Sequence, residues 1–170
     1  MSKVFVIADI HAGHKNIIKY ENRPFADIES MDKEMIHRWN NTVSKEDKVF
    51  VLGDVSFYNF EKTANFVSSL NGNKHLIMGN HDMSHPIKWW LDTGFISVSR
   101  YPIIYNEFIV MSHEPPTYFN SATPYFYIYG HVHSTAMYKT ITANSACISI
   151  ERWDYAPVDI EKIKELVKLV

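Results

Sequence analysis

Five short polar groups recur along the chain, and their side chains suit one kind of chemistry: Asp9-x-His11, Gly53-Asp54, Gly79-Asn80-His81-Asp82, Ser112-His113 and Gly130-His131-x-His133. Taken singly, a His or Asp beside an apolar run is an ordinary turn or surface residue. Together they supply carboxylate, amide and imidazole donors. That mixture suits manganese, iron, nickel or zinc, whereas magnesium and calcium prefer oxygen alone. The set contains no thiolate, which argues against a structural zinc site. Asp54 has no His in its own group, as expected of a carboxylate shared between two cations. The glycines before Asp54, Asn80 and His131 suit close backbone approach around such ions.

Each group closes a short apolar run. The runs are Val4–Ala8, Val49–Gly53, Leu76–Gly79, Phe108–Ser112 and Phe126–Gly130, rich in β-branched and aromatic residues, and they read as buried strands. Helical patterns lie between them. Ser30 is expected to cap a helix with Met31, Met35, Trp39 and Val43 on one face. Asn59 should cap another with Phe60, Ala64, Val67 and Leu70 inward, stopped by Asn71-Gly72. Further strands are expected over 95–99, 103–105, 137–142 and 146–150. Asp159 should cap a last helix burying Ile160, Ile163, Val167 and Val170. The prolines at 115, 116 and 124 make 114–125 a loop. Strands alternating with helices predict an α/β domain, whose ligands gather at the carboxyl ends of the strands, where all five groups sit.

The 170 residues suit a single domain spanning 1–170, without repeats or linkers. With 46% hydrophobic and 21% charged residues the composition is that of a soluble globular protein. A net charge of −2 and the lack of a basic run disfavour a nucleic-acid or membrane partner. A lone Cys147 excludes an internal disulfide and fits a reducing compartment; no apolar run is long enough for a signal or a membrane span, so a cytoplasmic protein is expected.

The order D-x-H, G-D, G-N-H-D, H, G-H-x-H, running from position 9 to 133, resembles that of the calcineurin-like metallophosphoesterases. The resemblance implies an α/β sandwich of two mixed β-sheets flanked by helices. It implies one metal on Asp9, His11, Asp54 and His133, and a second on Asp54, Asn80, His113 and His131, with Asp54 bridging. By the same carry-over His81 faces the leaving group as proton donor or charge stabiliser, and Asp82 orients it. Two cations roughly 3.5–4 Å apart would clamp phosphate oxygens and generate hydroxide from a bridging water near neutral pH. Two divalent ions are therefore expected as cofactors, manganese first, with iron, nickel or zinc as alternatives.

Departures from sibling patterns narrow the substrate. Phosphoprotein phosphatases place arginines after their G-D and just before their G-N-H; here Val55-Ser56-Phe57-Tyr58 and Ile77-Met78 stand there. Purple acid phosphatases need a tyrosinate at the position of Phe57. What remains resembles the small bacterial or phage phosphodiesterases, whose N-terminal stretch is similar to His11-Ala12-Gly13-His14-Lys15-Asn16-Ile17-Ile18 and Arg23-Pro24-Phe25. The expected substrate is a small phosphate ester or nucleotide; a nuclease and a non-catalytic scaffold of the same fold are the alternatives. Lys15 and Arg23, in the segment following His11, are candidate substrate-binding cations. His14 and His85 are placed near the pocket or on the surface, His37 on a helix surface and His75 at a strand entry. Cys147 is expected to be a buried small hydrophobe, and Tyr118, Phe119, Tyr125 and Tyr127 either packing residues or base-stacking ones.

Overall fold

The structure, a computed structural model, describes residues 2–117 and 124–168. Along the chain the elements are β1 (Val4–Ile7), α1 (Lys15–Tyr20), α2 (Ile28–Thr42), β2 (Lys48–Val51), α3 (Phe60–Ser69), β3 (Asn73–Ile77), α4 (Ile87–Asp92), β4 (Ser97–Ser99), β5 (Ile103–Tyr105), β6 (Ile109–Met111), β7 (Phe126–Tyr129), β8 (Ser145–Cys147), β9 (Val158–Asp159) and α5 (Ile160–Val167). The strands form two mixed sheets, ordered β4-β3-β2-β1-β9 and β5-β6-β7-β8. In the first sheet only β9 runs antiparallel to its neighbour; in the second only β5 does.

Period-two alternation decides what each strand residue touches. In β1, Phe5 and Ile7 join the helix-side core with Met31, Met35, Trp39, Val67 and Trp90. Val6 and Ala8 point the other way, onto Ile109, Met111, Ile128 and Ile148 between the sheets. The central strands are thus covered on both faces, which is why they read as continuous apolar runs. The sheets are stitched together beside the polar groups: Ala8 N–H donates to the Ile148 carbonyl at 3.2 Å, and Ile150 N–H donates to the Ala8 carbonyl at 3.1 Å.

The expected α/β sandwich of two mixed sheets is present, with local differences. The cap of α2 is Asp27, whose carboxylate accepts the Ser30 N–H at 2.8 Å while the Ser30 hydroxyl accepts the Asp27 N–H at 3.2 Å. Ser30 is therefore the third helical residue of a reciprocal capping box. Helix α3 does start after Asn59, but it is rotated from the expected face. Thr63 is buried because its hydroxyl finds Ser56 and the Tyr58 carbonyl, and Phe60 remains exposed against Trp89. The 137–142 segment makes turns instead of a strand; only Ile141 pairs, with Ala146. The 146–150 strand is cut to β8 and followed by a 3₁₀ turn at Ile150–Arg152, because Ala8 draws Ile148 and Ile150 toward the first sheet. Helices α1 and α4, six residues each, are too short to show a period. Val170, Tyr118 and Phe119 lie outside the described residues.

Among the described residues no helix is long and apolar enough to cross a membrane. Cys147 is free and buried, as expected of a small hydrophobe. His37 lies on α2 facing Asn41, and His75 in β3 faces Ser97.

Candidate metal centre

The seven expected metal ligands follow the carboxyl ends of five strands that run within the parallel parts of the two sheets. After β1 come Asp9 and His11; after β2, Asp54; after β3, Asn80; after β6, His113; after β7, His131 and His133. The chain turns sharply at these ends. Asp9, His11, Asp54, His131 and His133 all have left-handed backbones, with φ of 61°, 54°, 56°, 69° and 45°. Outside glycine such conformations cost about 1–3 kcal/mol each and collect where a site demands them. The preceding glycines are required by packing. At Gly53, whose φ is +84°, a Cβ would strike the His113 ring and come within 2.6 Å of the Gly79 backbone; at Gly130 it would lie 2.7 Å from Asp9 Oδ2.

The donor atoms converge in two sets that meet at Asp54. Asp9, His11 and His133 bring ligand atoms together on one side, and Asp54, His113 and His131 on the other. In the second set His113 Nε2 lies 3.0 Å from Asn80 Oδ1 and 3.1 Å from His131 Nδ1, and the last two are 3.1 Å apart. Nδ1 of His113 is 2.8 Å from the Leu52 carbonyl, which can only accept. The ring proton therefore sits on Nδ1, and Nε2 presents a lone pair toward the Asn80 oxygen. Two lone pairs facing each other call for a cation between them. In the first set the buried His11 Nε2 has no hydrogen-bond partner and lies 3.5 Å from Asp54 Oδ2. A buried nitrogen without a partner is costly unless an ion completes it. These donors fit a pair of divalent cations.

Burial and charge shape the protonation of the set. Burial pushes the Asp9 carboxyl up to about 6, against the lowering pull of His133 and His113. Burial brings His11 down to about 4, so it is neutral and ready to ligate near neutral pH. Burial alone would raise Asp54, but the adjacent His11 and His113 imidazoles and the His81 backbone N–H hold it at about 2. His131 is lowered, chiefly by burial. For His133 burial acts downward, and the bond to Glu151 together with the Asp9 charge overcomes it, so its pKa is raised.

His81 lies at the rim, about half exposed, with Nε2 3.9 Å from Asp54 Oδ2 and its backbone N–H donating to Asp54 Oδ1 at 3.1 Å. Its ring packs near Phe57 and His11, and His14 stacks on Phe57 with centroids 4.0 Å apart. His14 Nδ1 also lies 3.1 Å from His11 Nδ1, so His14 backs a ligand. His85 stacks on Trp89 and lines a depression of about 380 Å³ that also includes His81, Asn80, Ser56 and Ser84. A larger cleft of about 640 Å³ opens on the other side of Asn80, and Tyr127 is part of its wall.

Three expected roles are corrected. Asp82 does not orient the His81 ring. Its carboxylate is buried and accepts the N–H groups of Asp54 (2.8 Å), Val55 (3.0 Å) and Gly79 (2.8 Å), tying two ligand loops together. Burial raises its pKa to about 6 despite those bonds. Arg23 does not reach a substrate. Its side chain is fully buried, donating to the Asp9 and Ile10 carbonyls at 2.8 Å each and to Glu151 Oε1 at 2.7 and 3.0 Å. A guanidinium placed this way clamps the loop that carries Asp9 and His11. Lys15 is exposed at the start of α1 and borders a separate depression with Lys19, Asp27 and Glu29, which includes none of the donor residues.

Glu151 was not among the expected residues. It follows β8 without a G-x-H signature, and nothing in its local sequence marks it. In the fold its Oε1 joins Arg23 to His133 Nδ1, at 3.0 Å from the latter, and so fixes which nitrogen of His133 is free to ligate.

Residues 2–154 match the family of calcineurin-like phosphoesterases. The chain is 33% identical to an uncharacterized protein of Methanocaldococcus jannaschii over 174 residues, covering 99% of this chain and 93% of that protein. It is 27% identical to the gene 66 protein of Mycobacterium phage D29 over 197 residues, covering 98% and 96%. Among solved structures, a protein of unknown function from Aquifex aeolicus superposes with a TM-score of 0.71 at 22% identity, over 98% of this chain and 100% of that one. That likeness is one of fold.

Proposed function

The chain belongs to the calcineurin-like phosphoesterase family and is a hydrolase of phosphate ester bonds, and from that we propose that it is a phosphodiesterase acting on a small ester or nucleotide at a binuclear centre. In this reading Asp9, His11, Asp54 and His133 hold one divalent ion, and Asp54, Asn80, His113 and His131 the other, manganese being the first candidate for both. When bound, such ions neutralise phosphate oxygens and lower the pKa of a water toward neutrality. The remaining work falls to the chain's own side chains. Asp54 shares its carboxylate between the two donor sets. Asp82 and Arg23 lock the ligand loops, which fixes the donors before substrate arrives. His81, at the rim and not among the converging donors, is placed to give a proton or a hydrogen bond to the departing alkoxide oxygen.

The observation that supports a diester is the pair of depressions meeting at Asn80, one beside His81 and one beside His113. A diester has two organic arms and needs room on both sides of its phosphorus; a monoester needs one. Neither depression is a basic groove, which leaves a nucleic-acid strand less well served than a small molecule. The test is turnover by manganese-loaded protein of bis-(p-nitrophenyl) phosphate, p-nitrophenyl phosphate and a phosphoserine peptide. The diester should be cleaved with the highest kcat/KM. A clear preference for the monoester or the peptide would refute the diesterase reading, and turnover of none would favour a scaffold.

A further inference from the structure

We infer that the larger cleft is the subsite for the arm of the ester that stays on the phosphate, and that Arg100 pairs there with a second phosphate group on that arm. This inference rests on the phosphodiesterase reading for its orientation. The cleft of about 640 Å³ is lined by Asn80 and His113 of the donor set and by Arg100, with Met78, Pro102 and Tyr127 among its apolar walls. That size and lining suit a nucleoside-sized group held by few polar contacts. His81 is not part of its wall; it borders the smaller depression. An arm that leaves must depart toward its proton donor, so the arm on the far side of Asn80 is the retained one.

Arg100 is placed by the sheet. It follows the last residue of β4, at the same carboxyl edge that carries the metal donors. The register pairs Ile77 with Ser99, and Met78 N–H donates to the Ser99 carbonyl at 2.8 Å, so Arg100 stands beside Met78, two residues before Asn80. Arg100 and Asn80 thus leave neighbouring strand ends and line the same cleft. Arg100 is the only Lys or Arg on the cleft wall, it is exposed, and it makes no hydrogen bond or ion pair among the described residues. Glu114 also borders the cleft, next to His113. Its carboxylate repels a free anion near the centre and accepts hydrogen bonds from hydroxyls. Together the wall offers a hydroxyl acceptor, apolar surface and an anion receptor. A sugar or nucleoside carrying a second phosphate presents the complementary groups, and a guanidinium can grip two of its oxygens at once.

The test compares two diesters that differ only in the retained arm: thymidine 5′-(p-nitrophenyl phosphate), with and without a 3′-phosphate. Manganese-loaded wild-type protein should favour the 3′-phosphorylated probe by about tenfold or more in kcat/KM, as expected for one charge-assisted pair. Arg100→Ala should bring that ratio close to one, and Arg100→Lys should restore part of it. Because the ratio is internal to each variant, a general loss of activity cancels. In parallel, calorimetric titration with thymidine 3′,5′-bisphosphate and thymidine 5′-monophosphate should show the same preference in binding and its loss in Arg100→Ala. A wild-type ratio near one, or an unchanged ratio and unchanged bisphosphate binding in Arg100→Ala, would overturn the assignment. If neither probe is cleaved, the esterase reading fails on its own, and the titration still decides whether Arg100 holds the second phosphate.

Discussion

Replacing Glu151 by Gln is the perturbation whose size follows most closely from the structure. Glu151 Oε1 accepts two hydrogen bonds from Arg23 and faces His133 Nδ1, all within 3.0 Å, and the two side chains of the ion pair are 5% and 0% exposed. Glu151→Gln keeps the shape and removes the charge, leaving a buried guanidinium without its counter-ion. Breaking one partner of a buried pair costs about 3–5 kcal/mol. Arg23 retains the Asp9 and Ile10 carbonyls, so the lower figure, about 3 kcal/mol, is expected. For a domain of this size that lowers Tm by roughly 6–12 °C. The second effect is on metal. Glu151 sets the tautomer of His133, and loss of such a partner typically weakens metal affinity about 10–100-fold. The pKa of Glu151 is held low because the His133 bond and the Arg23 charge outweigh the burial that would raise it. A group depressed in the folded state contributes its stability above its unfolded pKa and loses it as pH falls through the folded value. The wild-type advantage over Glu151→Gln should therefore be full at neutral pH and should shrink below about 4.5, the ordinary value of a glutamate. Calorimetric melting of the metal-free proteins at pH 7 and pH 4, with a manganese titration at pH 7, checks all three. A variant equal to wild type in Tm and manganese affinity at pH 7 would refute the view that Glu151 organises the first donor set.

Other consequences can be checked in simpler assays. His81→Ala should slow turnover by about 10²–10⁴-fold while two metals remain bound; loss of metal instead would make His81 a ligand. Asp82→Asn should behave in the opposite way. It faces three N–H donors with only one oxygen, so metal content and Tm should fall together with activity, and full metal content would contradict its role as a loop tie. Manganese affinity should fall with acidity, since ligation needs Asp9 deprotonated and its pKa in the metal-free protein is about 6. Titrations at pH 5 and 7.5 should differ by about tenfold for each pH unit below 6, and a flat profile would contradict the burial argument.

What was legible in the sequence followed from periodicity and from residue type. The apolar runs before Asp9, Asp54 and Asn80 are covered on both faces and those before His113 and His131 on one, yet all five are apolar enough to have advertised a strand, and the polar residue at each end advertised the site. The glycines at 53 and 130 could be read as close approaches, although the left-handed backbone of five ligands could not. What stayed hidden depends on contacts between residues distant in sequence. Arg23 looks like a surface cation until Glu151, 128 residues later, is folded against it. Asp82 looks like a partner for its neighbour His81, yet its carboxylate turns to backbone amides of another loop. Arg100 lacks any motif, and only the register of β4 beside β3 brings it to the edge where the donors stand. The rotated face of α3 has the same origin, since a buried Thr63 is intelligible only once Ser56 and Tyr58 supply its partners.

The central claim is that Asp54 joins two donor sets, each holding an ion. Crystals of protein loaded with manganese, measured for anomalous scattering, test it directly. The account predicts two peaks of comparable height, one among Asp9, His11 and His133 and one among Asn80, His113 and His131, both in contact with Asp54. A single peak in active protein would contradict it, as would a second peak placed instead among Glu21, His133 and Glu151, the remaining cluster of potential ligands among the described residues.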